Sequence, residues 1–320
     1  MRRLLITGGA GFLGVNAADH FAGRGWRVTI LDNLSRAGTE KNLEWIRRRH
    51  PGLDLVREDV RNAGALDQHL KGQDAVIHLA AQVAVTTSLE DPRTDFEVNA
   101  LGSLNLLEAA RRQAPDAVLL FASTNKVYGQ LENHSSACRE DQPLDFHSPY
   151  GCSKGAADQY FLDYARCYGL HTAVLRQSCI YGRHQYGTED QGWVAHFVHS
   201  ILGNRQLTIY GDGSQVRDLL DARDLCHLYE LLLEKVPSGD VYNVGGGPAN
   251  ARNLLEVISA IEELAGKQSH HTFSDWRQGD QRYYVSDISR AEQRLGWSPR
   301  IDFDAGLREL VGWAASLPRA

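Results

Sequence analysis

The segment Thr7-Gly8-Gly9-Ala10-Gly11-Phe12-Leu13-Gly14 stands between a short apolar run, Arg3–Thr7, and an amphipathic stretch over residues 12–24. A strand that turns sharply through glycines into a helix constrains the fold strongly. Gly8 permits the tight turn, Gly11 lets the backbone approach a pyrophosphate, and Gly14 allows helix and strand to pack closely. The helix start, with Phe12 and Leu13, then offers its N–H groups to an anion. The pattern reads as the opening βα unit of a dinucleotide-binding fold.

The rest of the first half repeats that rhythm. Apolar runs at Arg27–Leu31, 53–57, Ala75–His78, 118–122 and 172–176 alternate with helical stretches such as 96–112 and 149–168. Such alternation predicts an α/β fold with a doubly wound parallel sheet of Rossmann type. After residue 176 the rhythm changes to Gly-, Gln- and His-rich loops, helices at Trp193–Leu202, 252–266 and 304–316, and a strand at Gln206–Tyr210. The expected organisation is a dinucleotide-binding domain over 1–175, with a returning segment near 217–242. A smaller α/β lobe over 176–320 would bind substrate, with the cleft between lobes as the expected substrate site.

Asp32 ends the second predicted strand. Its carboxylate can accept both ribose hydroxyls and repels a 2′-phosphate, so NAD is favoured over NADP. Asn33, Ser35 and Arg36 follow as further adenosine contacts, and Arg36 could offset part of that repulsion. Asp59 and Val60 after the third strand suit the adenine, and Leu79, Ala80 and Ala81 after the fourth are small enough for backbone to pass along a cofactor.

Tyr150-Gly-Cys-Ser-Lys154 places a phenol and an ammonium one helical turn apart on the same face. An ammonium there favours the phenolate, which suits Tyr150 to proton exchange. Tyr-x-x-x-Lys alone is a weak pattern and is commonly just helix surface. Joined to the glycine turn and to the hydroxyl-bearing loop at Ser123 and Thr124, it points to nicotinamide chemistry on an alcohol carbon.

Together, Thr7 to Gly14, His78-Leu79-Ala80-Ala81, Asn99 and the Tyr150/Lys154 pair resemble the extended short-chain dehydrogenase/reductases. The resemblance runs through Tyr210-Gly-Asp-Gly-Ser-Gln-Val-Arg217-Asp218 and Leu295-Gly-Trp-Ser-Pro299, so it covers essentially the whole chain. Narrower stretches, including Ser123-Thr124-Asn125-Lys126-Val127-Tyr128-Gly129, Gln82-Val-Ala-Val-Thr-Thr-Ser88 and Asp190-Gln-Gly-Trp-Val194, are similar to the epimerases that act at C2 of CDP-activated sugars. Residues 131–142 are shorter and less alike.

The resemblance implies an NAD-dependent epimerisation of a nucleotide-diphosphate sugar, with a CDP-sugar favoured. Oxidation to a ketosugar would be followed by return of the hydride. Tyr150 would be the base and then the acid, Lys154 together with the positive nicotinamide would lower its pKa, and Thr124 would bridge it to the sugar hydroxyl. Asn99 falls to the cofactor. Gln82, Thr86, Thr87, Asn125 and Lys126 fall to the sugar pocket, Arg217 and Arg277 to the diphosphate, and Asp280 to the nucleotide ribose. Cys179 stands where many relatives have asparagine. The 4,6-dehydratases of this group carry an Asp-Glu pair where this chain has Asn125 and Lys126. Two alternatives stay open: a 4-epimerase of a UDP- or other NDP-hexose, and a non-enzymatic NAD-binding regulator on the same fold.

A net charge of −6 argues against a nucleic-acid partner. The five scattered cysteines, with no CxxC pair, fit a reducing cytoplasm better than a disulfide framework. No stretch reads as a signal peptide or membrane span. Adjacent His270 and His271 read as a solvated loop rather than a metal site. A homo-oligomer is expected, paired through the helices at 96–112 and 150–168.

Overall fold

The computed structural model describes residues 1–131, 136–277 and 279–318. It divides into two compact units, one comprising Met1–Val127, Phe146–Arg176 and Cys226–Tyr242, the other Tyr128–Asp145, Gln177–Leu225 and Asn243–Ala320.

The first unit is built on a sheet of seven strands, which makes the fold Rossmann-type. Its strands are β1 (Arg3–Thr7), β2 (Arg27–Leu31), β3 (Asp54–Val56), β4 (Ala75–His78), β5 (Val118–Thr124), β6 (His171–Gln177) and β7 (Asp240–Val244, whose last two residues belong to the second unit). Their order is β7-β6-β5-β4-β1-β2-β3. The pairs β1–β2, β1–β4, β2–β3 and β4–β5 run parallel. The winding reverses at β1, which puts the glycine turn at the switch point where such sheets bind ligands. All four residues of β4 are buried, as expected of a strand covered on both faces. Phe121 on β5 stacks on Phe161 of the helix Ser148–Tyr168 with ring centroids 4.5 Å apart.

The sequence predicts one helix over 96–112. The structure instead has a π-helical turn, Glu97–Leu101, that leads into an α-helix, Gly102–Gln113. A Cβ on Gly102 would come within 2.7 Å of Val60 Cγ2, so the missing side chain sets how closely the helix approaches. Such single π-turns are common at functional positions, and this one carries Asn99.

In the second unit, Val216–Asp221 pairs antiparallel with Ala251–Asn253 and parallel with Tyr283–Tyr284 and Cys179–Tyr181. Those pairings hold residues 216–221 in this unit, and the return to the first unit is made by Cys226–Tyr242. The helices Trp193–Leu202, Leu254–Ala265 and Phe303–Ser316 bury Val198, Ile258, Leu310 and Trp313 in a common core. His270 and His271 do not lie in a loop: they begin the strand His270–Ser274, which pairs parallel with Gln206–Tyr210. Backbone pairing, invisible in two adjacent histidines, decides this, although both side chains remain exposed as expected. The segment Tyr128–Asp145 is tied to the second unit, where Tyr128 donates to Asn243 Oδ1 at 2.7 Å and Cys138 bridges to Ser286. Part of the divergent stretch 131–142 lies outside the described residues.

Candidate active site

The glycine turn is folded as its spacing requires. Gly8 has φ +67°, and a Cβ there would meet Ala80 N at 2.7 Å. A Cβ on Gly14 would lie 2.4 Å from Gly8 O. Thr7 fastens the turn to the loop after β4, accepting Leu79 N on its carbonyl at 3.0 Å and Ala80 N on Oγ1 at 3.3 Å. Ala81 follows in the same partly covered loop. The helix beginning with Phe12 and Leu13 has no side-chain cap and no acidic residue in its first turn. Its open N–H groups and positive dipole end suit an anion.

Asp32 is buried and accepts Leu34 N at 2.8 Å and Ala10 N at 3.0 Å. Burial pushes its carboxyl up, while those N–H groups and that of Gly11 pull it back. Part of the carboxylate's acceptor capacity remains for a ribose. Asn33 donates to Asp59 at 2.9 Å and accepts Ser35 N at 3.0 Å. Arg61 hydrogen-bonds Asp59 and holds its carboxyl far below the usual range. Val60 points its side chain into the core, leaving its backbone as the part able to face a ligand. This donor set fits a dinucleotide.

Tyr150 and Lys154 lie one turn apart at the start of the helix Ser148–Tyr168, and Thr124 ends β5. Tyr150 is partly exposed as a residue, but its phenol oxygen lies deep and hydrogen-bonds Thr124. Burial pushes the phenol up to about 12. Thr124 and the Arg36 guanidinium pull it down, and Asp95 pushes it further up. Arg36 is exposed as a residue, and the protein packed about its guanidinium lowers its pKa by desolvation, against the Tyr150 charge. Burial lowers the Lys154 ammonium to about 7, against the Asp158 and Asp95 carboxylates. Its Nζ lies 4.2 Å from the centroid of the Phe121 ring, a cation–π contact. The expected lowering of the phenol by Lys154 is therefore not delivered by the chain alone: desolvation outweighs every group that favours the phenolate.

Behind this pair lies a buried polar network that motif reading did not find. Asn99 brackets the backbone of Gln82, accepting its N–H at 2.9 Å and donating to its carbonyl at 3.0 Å. The Asn99 amide also donates to Asp95 at 3.1 Å and reaches Ser153 Oγ at 3.0 Å. The site residue Asn99 is thus a strut between elements. His78 bonds Thr7 Oγ1 through Nδ1 at 2.6 Å and Ser103 Oγ through Nε2 at 3.1 Å. Ser103 donates its own proton to Asn99 O, so His78 Nε2 carries the hydrogen and Nδ1 accepts. Burial holds this imidazole neutral, with a pKa lowered to about 3. Asp158 receives Arg176 Nε at 2.9 Å, Arg176 Nη2 at 3.0 Å and Ser123 Oγ at 2.8 Å. Helical spacing could have flagged Asp158, four residues after Lys154. Asp95 gives no such signal.

Of the expected sugar contacts in this unit, Gln82 folds its amide back onto Ala84, and Thr87 is exposed. Thr86 Oγ1 is buried without a hydrogen-bond partner. Asn125 is buried beside Thr124, and Lys126 N donates to Thr124 Oγ1 at 3.2 Å. In the second unit, Arg217 donates to Asp280 Oδ1 at 2.8 Å, bringing two expected nucleotide contacts together. Arg277 stacks 3.8 Å from the centroid of Tyr210 and pairs with Glu189 at 3.0 Å and Asp190 at 3.4 Å. Cys179 Sγ accepts Trp193 Nε1 at 3.4 Å. Among the described residues, no cluster of His, Cys, Asp or Glu is placed to hold a metal, and no helix is long and apolar enough to cross a membrane.

A Rossmann-type sheet, a glycine turn at its switch point and a buried Thr/Tyr/Lys group define the class of short-chain dehydrogenase/reductases. Residues 5–310 match the family model of GDP-mannose 4,6 dehydratase, and the chain belongs to that family of extended short-chain dehydrogenase/reductases. It is 40% identical to the CDP-paratose 2-epimerase of Salmonella typhi over 98% of this chain and 100% of that protein. The UDP-glucose 4-epimerase of Thermus thermophilus, solved in complex with NAD, superposes with a TM-score of 0.90 at 34% identity, covering 98% of this chain and 99% of that one. The dTDP-glucose 4,6-dehydratase of Streptomyces venezuelae, solved with NAD and TYD bound, gives 0.89 at 31% identity over 97% and 96% of the two chains.

Proposed function

We propose that the protein is an NAD-dependent nucleotide-sugar epimerase acting at C2 of CDP-paratose to give CDP-tyvelose. The observation that carries this reading is the Thr124–Tyr150–Lys154 group, with Asn125 and Lys126 directly after Thr124. That sequence supplies a proton acceptor for an alcohol but no Asp-Glu pair for eliminating water. The identity to a CDP-paratose 2-epimerase along the whole chain supports the choice of substrate.

NAD, when bound, supplies the hydride acceptor and a positive ring charge that favours a nearby phenolate. The glycine turn and the open helix end would hold its pyrophosphate, and Asp32 its adenosine ribose. A 2′-phosphate would meet the buried Asp32 carboxylate, which favours NAD over NADP. Tyr150 takes the sugar hydroxyl's proton as the carbinol is oxidised and returns it when the hydride comes back to the other face. Thr124 aligns that hydroxyl with the phenol. Arg217 and Arg277 are assigned to the diphosphate and Asp280 to the ribose. For Arg277 this means exchanging the Glu189 and Asp190 carboxylates for phosphate oxygens, which a guanidinium fork can do without reorganising. The sugar falls to Gln82, Thr87, Asn125, Cys179 and Thr86, whose buried hydroxyl has a bond still to make.

Proton NMR of CDP-paratose with the purified protein and no added NADH tests this. Conversion to a mixture with CDP-tyvelose is expected. No change there, with turnover of UDP-glucose at C4 instead, would move the assignment to a 4-epimerase.

We also place the protein in the cytoplasm as a homo-oligomer. Phe96, Leu101, Tyr160 and Tyr168 are exposed on the two segments expected to pair, an apolar set seldom left to water. Light scattering should give at least twice the mass of the 35.6 kDa chain, and a monomer would overturn the assignment.

A further inference from the structure

Two carboxylates act on Lys154, and their situations differ. Asp158, on the same helix, is answered by the two-pronged Arg176 guanidinium and by Ser123. Asp95, from the short helix Pro92–Phe96, is fully buried and has only neutral partners. Ser153 donates to its Oδ2 at 2.5 Å, and the Asn99 amide donates to its Oδ1 at 3.1 Å. Among the described residues no cation makes an ion pair with it. A buried carboxylate left without a close counter-charge is costly, and burial pushes the Asp95 carboxyl up while the Ser153 hydrogen bond and the Lys154 charge pull it back.

The remaining groups around Lys154 do not supply that counter-charge. Phe121 on β5 presents its ring, and His78 on β4 is held neutral. Arg176 on β6 is committed to Asp158. Lys154 is the cation left for Asp95, and each favours the charged form of the other. Asp95 also opposes the Tyr150 phenolate, on which Arg36 acts in the contrary direction.

We propose that Asp95 is a positioning residue of the reacting pair: its two hydrogen bonds lock the Tyr150/Lys154 helix to the loop carrying Gln82, and its buried carboxylate joins Asp158 in favouring the ammonium form of Lys154. The locking follows the atoms already described. Ser153 is the residue before Lys154, Asn99 brackets the Gln82 backbone, and Asp95 joins the two. The proposal rests on the reading of Tyr150 and Lys154 as the reacting pair, and it adds a group that touches neither cofactor nor sugar.

The test is the titration of Lys154 in the full chain by NMR with isotope-labelled lysine, the signal assigned with Lys154→Arg. In the wild type the midpoint should lie near 7. In Asp95→Asn, which keeps an acceptor of the same shape, it should fall by about one pH unit. Ser153→Ala, which keeps the carboxylate, should leave it in place. An unmoved midpoint in a folded Asp95→Asn protein would overturn the proposal. So would an equal fall in Ser153→Ala, which would make packing the cause; if Asp95→Asn does not fold, Asp95→Ser, another neutral residue, is read by the same criterion. The midpoints need no turnover, so a protein inactive on CDP-paratose would still report them, and the two readings fail separately.

Discussion

Tyr150→Phe should cut epimerase turnover by roughly a thousandfold and leave both the bound cofactor and the melting temperature close to wild type. The phenol is hydrogen-bonded to Thr124. When it is removed, Thr124 Oγ1 keeps Lys126 N and its contact with Asn125 Oδ1, so no buried group is stranded. Losing one buried hydroxyl together with its single partner contact costs about 1 kcal/mol or less. In the proposed function the pyrophosphate and ribose contacts fall to the glycine turn and Asp32, far along the chain from this helix. Turnover is read by NMR and retained cofactor by absorbance after denaturation. A variant that keeps a tenth of the wild-type rate would remove Tyr150 from proton transfer. Parallel loss of cofactor and activity would recast the phenol as a binding group.

The unliganded electrostatics make this variant informative. The chain holds Tyr150 as a phenol, with a pKa pushed up to about 12, and brings the Lys154 ammonium down to about 7. The protein alone is therefore poised as an acid, and an additional positive charge is needed before the phenolate is accessible near neutral pH.

What could be read from the amino-acid sequence was local. The positive φ of Gly8, the crowding at Gly14 and the i, i+4 placement of Tyr150 and Lys154 each depend on a few neighbouring residues, so motif spacing reports them. The strands Arg3–Thr7, Arg27–Leu31 and Ala75–His78 were legible because a fully covered strand must be continuously apolar. The π-turn at Asn99 was not, because its extra residue answers tertiary demands: a backbone bracket on Gln82 and a contact with Asp95. Asp95 stands in a polar-looking context, and nothing local says that folding will bury it, while the spacing of Asp158 and the apolar run around Arg176 give no sign that the two will pair. The strand at His270 depends on pairing with residues more than sixty positions away. Helical spacing also gives the separation of Tyr150 and Lys154 but not the desolvation that raises the phenol's pKa.

Arg176→Met should destabilise the first unit by about 3–5 kcal/mol, the largest stability effect expected here from a single side chain. Arg176 and Asp158 are almost wholly buried and joined by two charge-assisted hydrogen bonds. Deleting the guanidinium leaves the carboxylate with Ser123 and the Gln159 amide, neither of which carries charge. Asp158→Leu combined with Arg176→Met should recover most of the loss, because replacing a whole buried ion pair by apolar groups of similar size is close to neutral. The midpoint of denaturant unfolding, followed by a probe in the first unit, checks both variants. A single variant that loses less than about 1 kcal/mol would mean that water reaches Asp158, as at an exposed pair. The double variant has a second use. It removes Asp158 and leaves Asp95 as a carboxylate acting on Lys154, so the Lys154 midpoint measured there reports the pull of Asp95 without that of Asp158.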